Sequence, residues 1–193
     1  MATGPSAHPA VLLREVRWND FDDLREIYYR LYDERARGEP IGITLHGERP
    51  SLADEVDWFA RMYRDVLNGE QILSVAEVDG RVIGSCSVRR HGSSASFEGG
   101  HVAVLGIVVA EAHRGRGIGE ALMRHAIERC RGKFEVIRLT VFSVNERARR
   151  LYRRVGFVET GHQPRGVRRG DQYYDEEEMT HFLGSASAGP AKG

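Results

Sequence analysis

The stretch VLGIVVAEAHRGRGIGEALMRHAIERC, from Val104 to Cys130, changes character in its middle. An apolar run ends at Ala110, arginine and glycine then alternate through Arg114-Gly115-Arg116-Gly117-Ile118-Gly119, and apolar residues return at helical spacing. Ile118, Ala121, Leu122, Ala126, Ile127 and Cys130 share one helix face. A strand that breaks into glycines and opens a helix builds an anion site. The first helical N–H groups lack acceptors within the helix, and the macrodipole places partial positive charge there. Glycines leave that backbone open to a ligand because no Cβ stands in the way. Arg114 and Arg116 can add charge-assisted contacts to phosphate.

Outward from this turn, the patterning alternates between strand and helix periods. Upstream, AVLLREVRW predicts a strand. Leu24, Ile27, Tyr28 and Leu31 then predict an amphipathic helix with Asp20 as its cap. Asp33–Pro50 carries turn residues without periodicity and is expected as a long loop. Ser51 with Asp54 resembles a capping box, followed by a helical stripe of Val56, Phe59, Tyr63 and Val66. QILSVAEV and RVIGSCSVRR around Asp79-Gly80 predict a hairpin, and a third strand is expected over Phe97–Val109. Downstream, EVIRLTVF predicts a buried strand, and Ala148, Leu151, Tyr152 and Val155 predict a helix closed by Gly156. FVET and QYYDEEEMTHFL supply the last strands. The order β-α-α-β-β-β-α-β-α-β-β implies an α+β fold with a mixed central sheet. One domain is expected over 11–183, between a flexible N-terminal tail (1–10) and a flexible C-terminal tail (184–193).

Composition narrows the classes of partner. The 28 basic and 28 acidic side chains cancel, which disfavours a sequence-independent nucleic-acid binder. No apolar run approaches the length of a membrane span. The N-terminal MATGPSAHPA lacks the charged and apolar regions of a secretory signal. Cys86 and Cys130 sit inside apolar patterns, as buried reduced thiols do, so a cytoplasmic location is expected.

Three phosphate-binding turns compete for Arg114–Gly119. A P-loop ends in Gly-Lys-Ser/Thr, and no lysine is present here. A dinucleotide fingerprint needs G-x-G-x-x-G early in the fold, whereas this turn reads G-x-G-x-G after several strands. Arg114-x-x-Gly117-x-Gly119 resembles the Q/R-x-x-G-x-G/A pyrophosphate loop of the GNAT N-acetyltransferases. The downstream segment LTVFSVNERARRLYRRVGF is similar to that family's second motif in Asn145, Ala148, Leu151-Tyr152 and Gly156-Phe157. Within that family the chain resembles ribosomal-protein and amino-acid N-acetyltransferases.

The resemblance implies a splay between the two central parallel strands, with acetyl-CoA lying in it and no metal. Its pantetheine arm would pair with backbone of Ile107, Val108 and Val109, and its pyrophosphate with N–H groups of Arg114, Gly115, Arg116, Gly117, Ile118 and Gly119. A backbone N–H near Ile107–Val108 would polarise the thioester carbonyl. Tyr152 stands where the family has its usual acid, facing the departing thiolate. Asn145 orients the cofactor or caps its helix. The base falls on His101 by the family's spacing, with Glu98 and water as alternatives. Histidine's pKa near 6.5 suits a proton acceptor at neutral pH.

For the acceptor, the resemblance points to the loop 33–50 and to GHQPRGVRRGDQ before the last strand. Glu34, Glu39 and Glu48 can attract a cationic amine there, though they alternate with Arg35, Arg37 and Arg49 as in a solvated loop. Glu177 and Glu178 stand where relatives usually carry apolar residues, which implies either an exposed edge strand or the rim of the acceptor pocket. A protein or peptide amine is the leading acceptor. A small amine such as an amino acid, polyamine or amine antibiotic is the alternative, and a non-catalytic acyl-CoA sensor is the third reading. A homodimer is common among relatives, and neither nucleic acid nor membrane is expected as partner.

Overall fold

The computed structural model describes residues 10–38, 43–92 and 98–184. Along the chain come β1 (Leu12–Glu15), α1 (Phe21–Ala36), α2 (Leu52–Leu67), β2 (Gln71–Val78), β3 (Arg81–Arg90) and β4 (Val102–Val109). They are followed by α3 (Ile118–Cys130), β5 (Val136–Phe142), α4 (Glu146–Val155), β6 (Val158–Arg169) and β7 (Gln172–Phe182). The strands form one mixed seven-stranded sheet in the order β1-β2-β3-β4-β5-β7-β6. Among the described strands only β4 and β5 run parallel, joined by the α3 crossover.

Helices cover both faces, and β2 shows how. Leu73 and Val75 pack with Leu24 and Ile27 of α1 and with Phe59 and Met62 of α2. Ile72, Ala76 and Val78 face the other way, into the core that holds Leu122, Met123 and Ala126 of α3 and Val155 of α4. Each fully buried side chain of this size contributes about 1.5–3 kcal/mol, so apolar faces fix the helices and the exposed ion pairs add little. Asp79 and Gly80, at φ 50° and 78°, make the expected two-residue hairpin turn. No described helix is long and apolar enough to cross a membrane.

Several boundaries differ from the sequence reading. Helix α1 continues through Asp33 and Glu34 to Ala36, so the loop begins later. Asp20 does not cap α1: its carboxylate takes both Arg14 nitrogens and the Arg17 N–H, closing a 3-10 turn over Trp18–Asp20. The third strand starts at Val102, after a turn at residues 98–101. GHQPRGVRRGDQ is mostly strand, because β6 pairs with β7 along its length through irregularities between Glu159/Gly161 and Gln163/Val167. Pro164 is tolerated there because β6 is the sheet edge. The reading of Phe97 as a strand start, of Glu39 as an amine attractor and of the tails at 1–9 and 185–193 lies outside the described residues.

The sheet opens where β4 and β5 should continue to pair. Their register covers Val102↔Val136, Ala103↔Ile137 and Val104↔Arg138 and then stops. Beyond it, β4 keeps pairing with β3 up to Gly84↔Val109, and β5 with β7 up to Phe142↔Glu176. The edges Leu105–Val109 and Leu139–Phe142 therefore diverge and no longer pair with each other. This is the splay that the sequence resemblance implies.

Candidate active site

At the mouth of the splay, β4 runs through a 3-10 turn at Glu111–His113 into the glycine turn and α3. Gly115 and Gly117 sit at φ 83° and 80°, a left-handed conformation that costs a side-chain-bearing residue roughly 1–2 kcal/mol. Gly117 is the N-cap of α3 without a side-chain cap, and the first helical bond runs from Ala121 N–H to the Gly117 carbonyl at 3.1 Å. The N–H groups ahead of Ala121 thus point out of the helix end. A Cβ on Gly117 would meet nothing within 4 Å, so the space before this backbone is open.

A cavity of about 620 Å³ fills the splay. Its wall includes Ile107, Val108 and Val109 of β4, Gly115, Gly117 and Gly119 of the turn, and Asn145, Leu151 and Tyr152 around α4. Two loop residues from the sequence reading are oriented elsewhere. Arg116 is exposed and off the cavity wall, and the Ile118 side chain is buried in the core.

Arg114 turns inward. Its Nε donates to the Val109 carbonyl at 2.8 Å, and Nη1 and Nη2 donate to the Glu34 carboxylate at 2.7 and 2.8 Å. The Glu34 side chain is only 2% exposed. Glu34 is therefore a partner of Arg114 and not a lure for a cationic amine. The pair ties the end of α1 to the end of β4 and fixes the turn from behind. The positive charge in front comes from Arg147, whose Nη2 lies 3.2 Å from where a Gly115 Cβ would be. Arg147 forms part of the cavity wall and has no hydrogen-bond or ion-pair partner among the described residues. Sequence reading missed it. Its spacing two residues after Asn145, at the start of α4, was the available signal.

Asn145 caps α4, its Oδ1 accepting from Ala148 N–H at 3.1 Å. Tyr152 packs its ring against the core beside Phe157, with its hydroxyl unpartnered among the described residues. Burial pushes its pKa up to about 12, with the Cys86 thiol a smaller cause. Cys86 pairs with Ile107 across β3 and β4, which places Tyr152 beside the middle of the free β4 edge.

The proposed bases are elsewhere. His101 and Glu98 precede β4, in the turn at its far end. At about 3.3 Å per residue, His101 lies about 20 Å from Ile107 along the strand. Its Nδ1 sits 3.2 Å from the Glu98 carbonyl, and its own carbonyl accepts from Glu135 and Val136 N–H. Both residues are off the cavity walls. Glu177 and Glu178 are also off them. β7 lies between β5 and β6, Glu177 takes Ser143 Oγ and His162, and Glu178 takes Arg138.

A second cavity, of about 390 Å³, opens on the α1/α2 face of the sheet. Gly106, Ile107 and Val108 form its floor, with Tyr28, Glu55 and Trp58 among its walls. It shares Ile43, Ile107 and Val108 with the first cavity. Arg169, reaching over from β6, donates to the Ile43 carbonyl at 2.7 Å and stacks on Phe142 and Tyr174. Val56, expected on the buried stripe of α2, is 45% exposed, while Glu55, Phe59 and Met62 turn inward.

A splayed sheet, an open helix end and a tyrosine on the wall of the gap between them form the frame of the site. The chain belongs to the acetyltransferase (GNAT) family, whose model matches residues 21–157. It is 31% identical over 170 residues to the L-amino acid N-acetyltransferase AaaT of Escherichia coli, covering 86% of this chain and 93% of that one. The ribosomal-protein-alanine N-acetyltransferase of Brucella melitensis superposes with a TM-score of 0.73 at 26% identity, over 89% of this chain and 99% of that one. The fold is also that of the yncA acetyltransferase of Salmonella typhimurium, solved with acetyl-CoA (TM-score 0.75, 23% identity, 95% and 99% coverage). The protein is therefore an acetyltransferase of the GNAT class.

Proposed function

We propose that this enzyme acetylates the amino group of a small zwitterionic amine of the free α-amino acid type. The carrying observation is the second cavity: about 390 Å³, walled by α1, α2 and the loop between them, and floored by the β4 segment where the two cavities meet. That volume suits a small molecule. Arg61 lines it and has no hydrogen-bond or ion-pair partner among the described residues, which leaves a guanidinium for an acceptor carboxylate. Likeness to an L-amino acid N-acetyltransferase over most of both chains supports the same reading.

In this reading the N–H groups of Gly115–Gly119 and the Arg147 guanidinium hold the diphosphate of acetyl-CoA. The free edge of Ile107–Val109 pairs with the pantetheine amides, and a β4 N–H polarises the thioester carbonyl. Tyr152 donates a hydrogen bond to the developing thiolate. With a pKa pushed up to about 12 it stays protonated at neutral pH. A thiol with the ordinary value near 8.5 is the stronger acid, so Tyr152 stabilises the leaving sulfur without surrendering its proton for good.

An amine panel tests the acceptor. Free L-amino acids should exceed peptides carrying the same N-terminal residue by at least about tenfold in kcat/KM. Arg61→Gln should raise KM for an amino acid and leave its decarboxylated amine unchanged. Equal turnover of peptides would overturn the reading.

A further inference from the structure

The acceptor nitrogen reaches the enzyme as an ammonium with a pKa near 10, so a group must bind it and remove a proton before it can attack. His101 and Glu98 are too far away. Glu55 meets the geometric requirements. It projects from the first turns of α2 into the second cavity, shares that cavity with Gly106, Ile107 and Val108, and is 4% exposed. Its carboxylate has no hydrogen-bond or ion-pair partner among the described residues. Every other buried carboxylate of the described core is satisfied: Asp20 by Arg14 and Arg17, and Glu34 by Arg114. A buried carboxylate left unpaired is costly, and a cavity in front of it is where a cationic ligand fits. We propose that Glu55 receives the acceptor's ammonium in this cavity and takes its proton.

The step balances. One ammonium proton passes to a Glu55 oxygen and later to solvent. The freed nitrogen lone pair forms the C–N bond to the acetyl carbonyl carbon as the C–S bond breaks, and sulfur keeps the bonding pair. The second nitrogen proton moves through water to the thiolate, which Tyr152 has stabilised meanwhile. Ammonium and thioester become amide, thiol and one proton.

The surroundings suit a proton acceptor. Burial is the main cause that holds Glu55 above the ordinary carboxylate range. Arg25 of α1 and His46 of the loop oppose it, and its helix neighbour Asp54 adds to it. The Tyr28 hydroxyl of α1 feels the Glu55 charge and is itself raised, chiefly by burial, while Arg61 stands on the same wall. The sign for stability follows. A carboxyl raised in the folded state makes the charged form unfavourable above that raised value, and the cost vanishes below the ordinary value of 4.5.

The inference rests on the second cavity being the acceptor site, and Glu55→Gln tests it apart from acceptor class. The variant is assayed with whichever amine, free amino acid or peptide, the parent turns over. At pH 7 its kcat/KM should fall about a hundredfold, and the gap should narrow above the pKa of the amine. Affinity for coenzyme A by calorimetry should match the parent, and Glu55→Asp should restore part of the rate. The melting temperature of Glu55→Gln should rise at pH 7, with the gain lost below about pH 4. A pH–rate profile for Glu55→Gln superimposable on the parent's would overturn the proposal. Turnover restricted to peptides would overturn the small-amine reading while leaving the profile to decide on Glu55.

Discussion

The two cavities share the middle of β4 and are built from opposite materials. The first offers chiefly backbone: glycine N–H groups at the head of α3 and the β4 edge that β5 leaves, with Arg147, which has no hydrogen-bond or ion-pair partner among the described residues. The second is lined by side chains, with a buried carboxylate, aromatic rings and a free guanidinium on α1 and α2. Backbone recognition suits a donor common to a family, because it requires only φ angles and the absence of Cβ atoms. Side-chain recognition suits an acceptor that differs between members, because substitutions on two helices alter the cavity without disturbing the sheet. The shared residues Ile43, Ile107 and Val108 stand where the two meet.

Substitutions that strike one cavity only can break this division. The largest effect is expected from Arg114→Ala. It leaves Glu34 buried without a partner, at a cost of about 3–5 kcal/mol, or a drop of about 10 °C in melting temperature for a chain of this size. Arg114→Lys should recover little, because one ammonium cannot replace a bidentate pair and a third bond to the Val109 carbonyl. Thermal denaturation decides it, and an unchanged melting temperature would mean the pair does not brace the turn.

Tyr152→Phe comes next. It removes one donor to the leaving sulfur, so kcat should fall about 10²–10³-fold while coenzyme A affinity and amine KM hold. A parent rate that is level up to the alkaline limit of the fold fits a hydroxyl with its pKa pushed up to about 12. Gly117→Val should act on the donor side alone. Its Cβ enters the open space before the N–H groups, so coenzyme A affinity should weaken by at least about tenfold. The φ of 80° adds roughly 1–2 kcal/mol of strain. Normal affinity in a folded Gly117→Val protein would remove the diphosphate from this turn.

The same division explains how much the sequence discloses. The donor side depends on local punctuation, and its parts lie within Val104–Phe157, so glycine spacing and the period change after Ala110 reveal it. The hairpin at Asp79-Gly80 and the Asn145 cap are legible for the same reason. The acceptor side is assembled across the chain. Its walls run from Leu24 to Val108, and the first cavity has long-range parts too: Glu34 meets a residue 80 positions away, and Arg169 one 126 away. Glu34 reads as a loop charge until α1 is seen to run through it. Glu55 is obscured at the start of α2: Phe59, Tyr63 and Val66 of the expected stripe do pack inward, but Val56 is exposed and Glu55 takes the inward position that apolar preference would deny it. In β6, Pro164 and Gly166 look like turn residues, and edge position lets them lie in a strand.

The smallest effect should come from His101→Ala, and its size is informative. The family resemblance points to this histidine as a base, and an imidazole is a proton acceptor suited to neutral pH. Yet β4 carries it to the closed end of the splay, where β4 and β5 still pair at Val102↔Val136. Its contacts that hold the strands together are made by its backbone carbonyl, which alanine keeps. The variant should therefore match the parent in kcat, in amine KM and in the shape of its rate profile from pH 6 to 8. A lost acidic limb in His101→Ala would require a proton path of about 20 Å along β4, and would transfer the base from the side-chain-built cavity back to the strand. An unchanged profile leaves proton removal to the α1/α2 face, on the side of β4 opposite the helix that holds the donor.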